Sequence, residues 1–250
     1  MMSGTTTGMT SGVQYLRSLI FVIQMYLMML LMGLAFLPWT LFDRRGAYVG
    51  ARTYCRYVRL TLRLICGTRT EVRGKIPEGE VLIASKHQSF LDIILIVSVV
   101  KRPKFIMKDS LRFAPILGFY ALRLGCVPVK RGRRSEAIRD MMAGVTSGKA
   151  PPGQLIIYPQ GTRVAPGAMA DYKVGVAAIY EQTGQHVIPA ATNVGLFWPR
   201  SGVLRQPGLA VVEFLPALAP GLKREDFRSQ LRQIIETRSD ALLEEGRASL

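Results

Sequence analysis

An apolar run of 19 residues, Leu19 to Leu37, interrupted only by Gln24, constrains this chain more than any other stretch. At 1.5 Å per helical residue it reaches about 28 Å, close to the hydrocarbon thickness of a bilayer, so the helix either crosses a membrane or lies within one leaflet. A cleaved signal peptide is the competing reading, because Gly33-Leu34-Ala35 has the small-x-small form of a cleavage site, but the run is longer than a typical signal core. Of the side chains before the run only Arg17 is basic, whereas Arg44, Arg45 and further arginines follow it; that bias places the body of the protein on the cytoplasmic side.

The charge is as unevenly placed as the hydrophobicity. The chain carries 33 Lys and Arg against 17 Asp and Glu, a net +16; residues 43–75 hold a net +7 and residues 101–134 a net +9, together the whole excess. Such concentration suits partners of negative charge: anionic lipid, an acidic carrier protein, a phosphorylated substrate or nucleic acid. After a turn at Asp43 to Gly46, Arg52, Arg56, Arg59 and Arg63 fall at i, i+4, i+7 and i+11 on one helical face, with Ala51, Cys55, Val58, Leu62 and Ile65 as the complementary apolar stripe. The spacing makes a basic amphipathic helix, expected to rest in the headgroup layer rather than merely cover a core.

From about Glu71 the pattern changes. Short apolar runs at Val81–Ala84, Lys104–Met107, Cys126–Val129, Gln154–Tyr158, His186–Ala191 and Leu209–Leu215 read as strands. Helical patterns at Leu91–Val100, Ser135–Ala143, Lys173–Thr183 and Glu225–Glu245 alternate with them. Alternation of this kind implies an α/β domain with a largely parallel sheet, whose functional groups collect at the carboxyl ends of the strands. Two segments follow: residues 1–70 as a membrane-anchoring helix pair and residues 71–250 as the domain that carries the chemistry.

Three cysteines without C-x-x-C spacing give neither a disulfide framework nor a zinc site, and two histidines 99 positions apart give no metal motif. Metal and cofactor are therefore both expected to be none. After the first strand, Lys86-His87-Gln88-Ser89-Phe90-Leu91-Asp92 holds the chemistry-bearing pair. Two residues five apart on one helix point away from each other. If Ser89 caps the helix, however, Asp92 sits in its first turn and His87, on the preceding loop, folds back onto it, the arrangement that orients an imidazole as general base. After the fourth strand, Tyr158-Pro159-Gln160-Gly161-Thr162-Arg163 offers a glycine, a hydroxyl and a guanidinium, the makings of an anion site or of a plain surface turn.

His87 to Asp92, Gly125 to Arg131, Tyr158 to Arg163 and Val187 to Ala191, in this order, resemble the four sequence blocks of the glycerolipid acyltransferase superfamily, in particular its bacterial 1-acyl-glycerol-3-phosphate acyltransferases. The likeness runs from about Glu80 to Arg200 and includes Lys108, Pro115 and Gly118. The third block departs from the usual Phe-Pro-Glu-Gly-Thr-Arg, with Tyr158 for the aromatic and Gln160 for the carboxylate.

The resemblance implies the fold of that superfamily, a central mostly parallel sheet flanked by helices behind an N-terminal anchoring pair. It implies transfer of a fatty acyl group from a thioester on coenzyme A or acyl carrier protein to the sn-2 hydroxyl of lysophosphatidic acid, yielding phosphatidic acid. His87 and Asp92 would be catalytic; Lys108, Arg131, Gln160, Gly161, Thr162 and Arg163 would bind substrate. Lysophosphatidic acid, the thioester donor and anionic membrane lipids are the implied partners, with no nucleic acid, at the bacterial inner membrane facing the cytoplasm. Loss of the block's carboxylate at Gln160 leaves a different lysolipid acceptor, such as a lyso-aminolipid, as the near alternative. A non-enzymatic basic protein binding membranes or nucleic acid is the remote one.

Overall fold

The computed structural model describes residues 5–130, 143 and 152–248. Arg131 and, except for its last residue, the helix expected over Ser135–Ala143 lie outside the described residues. The long apolar run belongs to α1 (Thr5–Phe42), which begins well before the run itself. Asp43 breaks the helix in an extended conformation, and its carboxylate accepts the Arg45 N–H at 2.8 Å, capping α2 (Arg44–Thr61). A π-helical turn over Leu62–Cys66 closes on Gly67, whose φ of +76° is the left-handed conformation that ends a helix.

Seven strands follow among the described residues: β1 (Thr68–Arg73), β2 (Leu82–Ser85), β3 (Pro103–Lys108), β4 (Val127–Val129), β5 (Gln154–Ile157), β6 (Val187–Thr192) and β7 (Gly208–Phe214). They form one sheet in the order β1-β7-β6-β2-β5-β3-β4, parallel at every pairing except β6 with β7. The remaining helices are α3 (Phe90–Val99), α4 (Leu117–Leu124), α5 (Val174–Thr183) and α6 (Arg224–Arg247). The α/β expectation holds.

Alternate residues of the central strands feed opposite layers, as the pleat requires. Ile83 and Ile156 pack with Phe21, Met25, Cys55, Val58, Leu91 and Leu95 from α1, α2 and α3. Leu82, Ala84, Leu155 and Ile157 pack with Ile179, Tyr180, Phe227, Leu231 and Ile235 from α5 and α6. α3, apolar on all sides but for Asp92 and Ser98, is correspondingly buried. The two N-terminal helices thus share the core of the sheet's first face.

One expectation is corrected. The arginine face of α2 does not simply turn to lipid. Arg52 donates to the carbonyls of Val100 and Lys101, Arg56 to that of Ser98, and Arg59 to Ser98 Oγ, Thr70 Oγ1 and the Thr70 carbonyl. Two of the four arginines, Arg52 and Arg56, cap the carbonyl-rich end of α3, where a cation meets the negative end of the helix dipole, and Arg59 ties the same end to β1. A helix periodicity looks the same whether its polar side meets headgroups or protein carbonyls, which is why the sequence did not distinguish them.

α1 is the one helix among the described residues long and apolar enough to cross a membrane. It is nevertheless attached to the body along its length. Gln14 donates to the carbonyls of Cys66 and Arg205, Phe21 meets Trp198 edge-on at 5.5 Å, and Arg123 donates to the carbonyls of Thr40 and Leu41. Gly33 lets α4 approach: a methyl group there would come within 2.4 Å of Ile116, and the Tyr120 hydroxyl donates to the Gly33 carbonyl at 2.7 Å. Its other side, including Leu16, Ile20, Ile23, Leu27, Leu31 and Leu34, is exposed.

Candidate active site

The central parallel trio β6-β2-β5 sends three loops out of its carboxyl end, and His87, Gln160, Gly161, Thr162 and Arg163 stand on two of them. Ser89 is extended and caps α3: its hydroxyl accepts the Leu91 N–H at 2.9 Å, and the Asp92 carboxylate returns to accept the Ser89 N–H at 2.9 Å. The same oxygen, Oδ2, accepts the Gln88 N–H at 2.9 Å. His87 lies on the loop and folds back so that Nδ1 is 3.0 Å from Oδ1 and 3.1 Å from Oδ2. Asp92 is wholly buried, while the His87 side chain retains 16% of its exposure. An ionised carboxylate only accepts, so Nδ1 carries the proton and Nε2 presents the lone pair.

The loop after β5 covers this pair. Tyr158 donates from its hydroxyl to Asp92 Oδ1 at 3.1 Å, and its ring stacks on the imidazole with centroids 3.9 Å apart and planes 20° apart. Burial, then the adjacent Asp92 charge, pushes the Tyr158 hydroxyl well above its ordinary range, so it remains a donor. The Val164 N–H donates to the His87 carbonyl at 2.8 Å, and the Gly195 N–H, from the turn after β6, donates to Gln88 Oε1 at 2.9 Å. A side chain at Gly195 would meet Gln88 Cβ at 2.8 Å, so the glycine is what permits that approach. All three loops are thereby fastened to the segment that carries His87.

The other residues singled out from the sequence are less concentrated. Gly161 takes a φ of +67° in a tight turn, Thr162 beside it is exposed, and Arg163 Nη1 donates to the Arg200 carbonyl at 3.0 Å. Arg200 Nη1 in turn reaches the Arg163 carbonyl at 3.4 Å, which brings a second guanidinium that sequence reasoning did not single out. Lys108 is exposed at the end of β3. Gln160 turns inward: it is buried, its Nε2 donates to Glu236 Oε1 at 3.2 Å, and its Oε1 has no partner among the described residues.

Behind the loop lies an ion pair that the sequence reading missed. The Lys86 ammonium, 1% exposed, meets the carboxylate of Glu236 on α6, itself 13% exposed. Glu236 also accepts the Tyr172 hydroxyl at 2.9 Å. Glu236 precedes Ser239 and Leu243 by three and seven residues, at the margin of the buried stripe of α6, and a charge at such a margin is the one signal that could have marked it. The three thiols offer no nucleophile. Burial pushes Cys55 up to about 12 and Cys66 and Cys126 to about 11, which keeps them protonated at neutral pH. Among the described residues no group of His, Cys, Asp and Glu is placed to hold a metal ion.

The chain is similar to several known proteins. The sequence profile of the family described as Acyltransferase matches residues 69–193, half of the chain. A 1-acyl-sn-glycerol-3-phosphate acyltransferase of Pseudomonas aeruginosa is 28% identical over 169 residues, covering 67% of this chain and 66% of that protein. The alpha form of the mouse enzyme of the same name is 26% identical over 189 residues, covering 73% and 66%. This chain therefore spans about two thirds of those relatives' length, and only 45% of the plastid relative from Brassica napus. In three dimensions it resembles the crystal structure of the 1-acyl-sn-glycerophosphate acyltransferase PlsC of Thermotoga maritima, with a TM-score of 0.77, 21% identity, and coverage of 92% and 97%.

Proposed function

The chain belongs to the acyltransferase family, and on that premise we propose that it acylates the sn-2 hydroxyl of 1-acyl-glycerol 3-phosphate, taking the acyl group from a thioester and releasing phosphatidic acid. The observation that carries this reading is the His87–Asp92 contact at 3.0 Å, at the end of the central parallel strands, which engages Nδ1 and leaves Nε2 without a partner among the described residues. An alcohol with a pKa far above neutrality needs a base at the moment of attack, and a neutral imidazole supplies one.

The step balances without an acyl-enzyme. His87 Nε2 takes the sn-2 hydroxyl proton as the oxygen bonds to the thioester carbonyl carbon. Asp92 stabilises the imidazolium; collapse of the tetrahedral adduct breaks the carbon–sulfur bond, and the departing thiolate takes the proton from Nε2. The buried, protonated cysteines favour direct attack. Arg163, with Lys108 and Arg131, would hold the acceptor phosphate, and the crossed arrangement of Arg163 with Arg200 supports adding the latter. Gly161 and Thr162 would shape that turn. Gln160 stands behind it, where its bond to Glu236 supports a role in holding the loop.

The same reading puts the exposed side of α1 into one leaflet of an anionic membrane. Attachment of α1 to the body from Gln14 to Leu41 supports an in-plane helix over one that leaves the protein to cross the bilayer. In this reading the membrane is the bacterial inner membrane and the catalytic residues stand on its cytoplasmic side, where the net charge of +16 suits an anionic lipid surface. Membranes containing the protein, incubated with radiolabelled lysophosphatidate and either acyl-coenzyme A or acyl carrier protein thioester, are expected to form labelled phosphatidate, and His87→Ala protein to form none while keeping its fold and membrane association. Full turnover by purified His87→Ala protein would refute the reading.

A further inference from the structure

The Asp92 carboxylate accepts from four groups, and three of them are explained by the capping box and the dyad. Gln88 N–H and Ser89 N–H bind Oδ2 and start α3, and His87 Nδ1 faces both oxygens. The fourth, the Tyr158 hydroxyl on Oδ1, plays no part in starting the helix. It comes from the loop after β5, 66 residues along the chain, and the same side chain covers the imidazole face. Phe105 packs against the same ring, with centroids 6.3 Å apart and planes 19° apart.

We propose that Tyr158 is a positioning residue that sets the pH range over which His87 serves as base. This rests on the acyl-transfer reading and deepens it. A donor on Oδ1 draws charge from the oxygen nearest Nδ1, so Asp92 holds an imidazolium less tightly than a carboxylate with three donors would. The imidazole therefore sheds its proton, and becomes able to accept one from the lipid hydroxyl, at lower pH. The stack acts on a second coordinate. It fixes the ring plane, so that Nε2 points the same way whether or not a substrate is present.

The other charged groups around His87 are accounted for. Lys86 precedes it but is neutralised by Glu236 from α6. Arg163 and Arg200 lie on or against the turn whose Val164 N–H binds the His87 carbonyl, and both are untouched by a change at Tyr158. Deleting the hydroxyl thus alters one interaction with the dyad and no net charge.

The test uses Tyr158→Phe, which keeps the ring and its stacking and removes only the donor. With two histidines in the chain, His87 can be followed by NMR of the detergent-solubilised full-length protein with 15N-labelled imidazole rings, His186→Gln assigning the second signal. The midpoint of the His87 titration, and the acid limb of kcat/KM for acyl transfer, are both expected to move up by about 0.5–1 pH unit in Tyr158→Phe. Below the limb the variant is then roughly 3- to 10-fold slower, and well above it close to the parent rate.

Replacing Tyr158 by a fluorinated tyrosine, a stronger donor, is expected to move the NMR midpoint the other way, and covers the case in which Tyr158→Phe does not fold. A midpoint that stays in place, or moves down in Tyr158→Phe or up with the fluorinated ring, overturns the proposal. Because the NMR arm needs no turnover, absence of acyl transfer by the parent protein would defeat the reaction reading separately.

Discussion

Removing the Glu236 charge is expected to cost far more stability than removing the Lys86 charge it balances. The two partners are unequally buried, 1% exposed for Lys86 against 13% for Glu236, and unequally served. Glu236→Gln leaves an ammonium with no acidic partner and almost no water, the situation that makes breaking a buried pair cost about 3–5 kcal/mol. Lys86→Met leaves a carboxylate that still accepts from Tyr172 and Gln160 and still touches solvent, so about 1–2 kcal/mol is expected from the lost attraction alone. For a chain of this length each kcal/mol moves the midpoint by roughly 2–4 °C, so Glu236→Gln is expected to melt about 6–20 °C below the parent and Lys86→Met within roughly 2–8 °C of it.

The double variant, which leaves no charge to bury, should then be more stable than Glu236→Gln alone, a coupling of about 2 kcal/mol in a double-mutant cycle. Circular dichroism melts of the four detergent-solubilised proteins read this directly. Equal losses in the two single variants, or a double variant less stable than either, would refute the reasoning, because both would mean that the ammonium is solvated and α6 is not holding the β2 loop through it.

Two further predictions follow from the arginine clamp and the thiols. Arg59→Ala removes three hydrogen bonds that tie α2 to Ser98 and Thr70 and is expected to lower stability by about 2–3 kcal/mol, whereas Arg63→Ala, on an exposed side chain, should change it by less than about 0.5 kcal/mol; urea titrations with equal losses would contradict the clamp. Burial raises the Cys55 thiol to about 12 and Cys126 to about 11 from an ordinary 9.0, so the folded protein holds those protons more tightly than the unfolded chain. Their contribution is complete below about pH 9 and is lost as pH climbs toward 11–12. Unfolding curves should therefore weaken across that alkaline window, and iodoacetamide at pH 8 should label the unfolded but not the native protein; native labelling with loss of activity would overturn it.

What could be read from the sequence was local, and the structure shows why. The cap at Ser89, the fold-back of His87 and the alternating strands and helices each depend on neighbours within a few residues, so their patterns survive in the sequence. β1, with Arg69, Glu71 and Arg73 on an edge beside β7, carries too little hydrophobicity to announce a strand, and only its parallel pairing from Thr68 to Arg73 makes it one. α4 is eight residues long and held by contacts to Gly33 and Thr40, which no window along the chain can contain.

The third block shows most clearly where reading along the chain stops. Judged by itself, Gln160 marks a missing carboxylate. In space, Glu236 stands 3.2 Å from the Gln160 amide, 76 residues away on α6, and it pairs with the lysine next to His87 across 150 residues. A glutamate at position 160 would set a second carboxylate against Glu236, whereas the neutral amide donates to it. The feature that looked like a gap in the block is thus the consequence of a charge delivered by the last helix, and the substitution bears on how the loop is held as well as on what it binds.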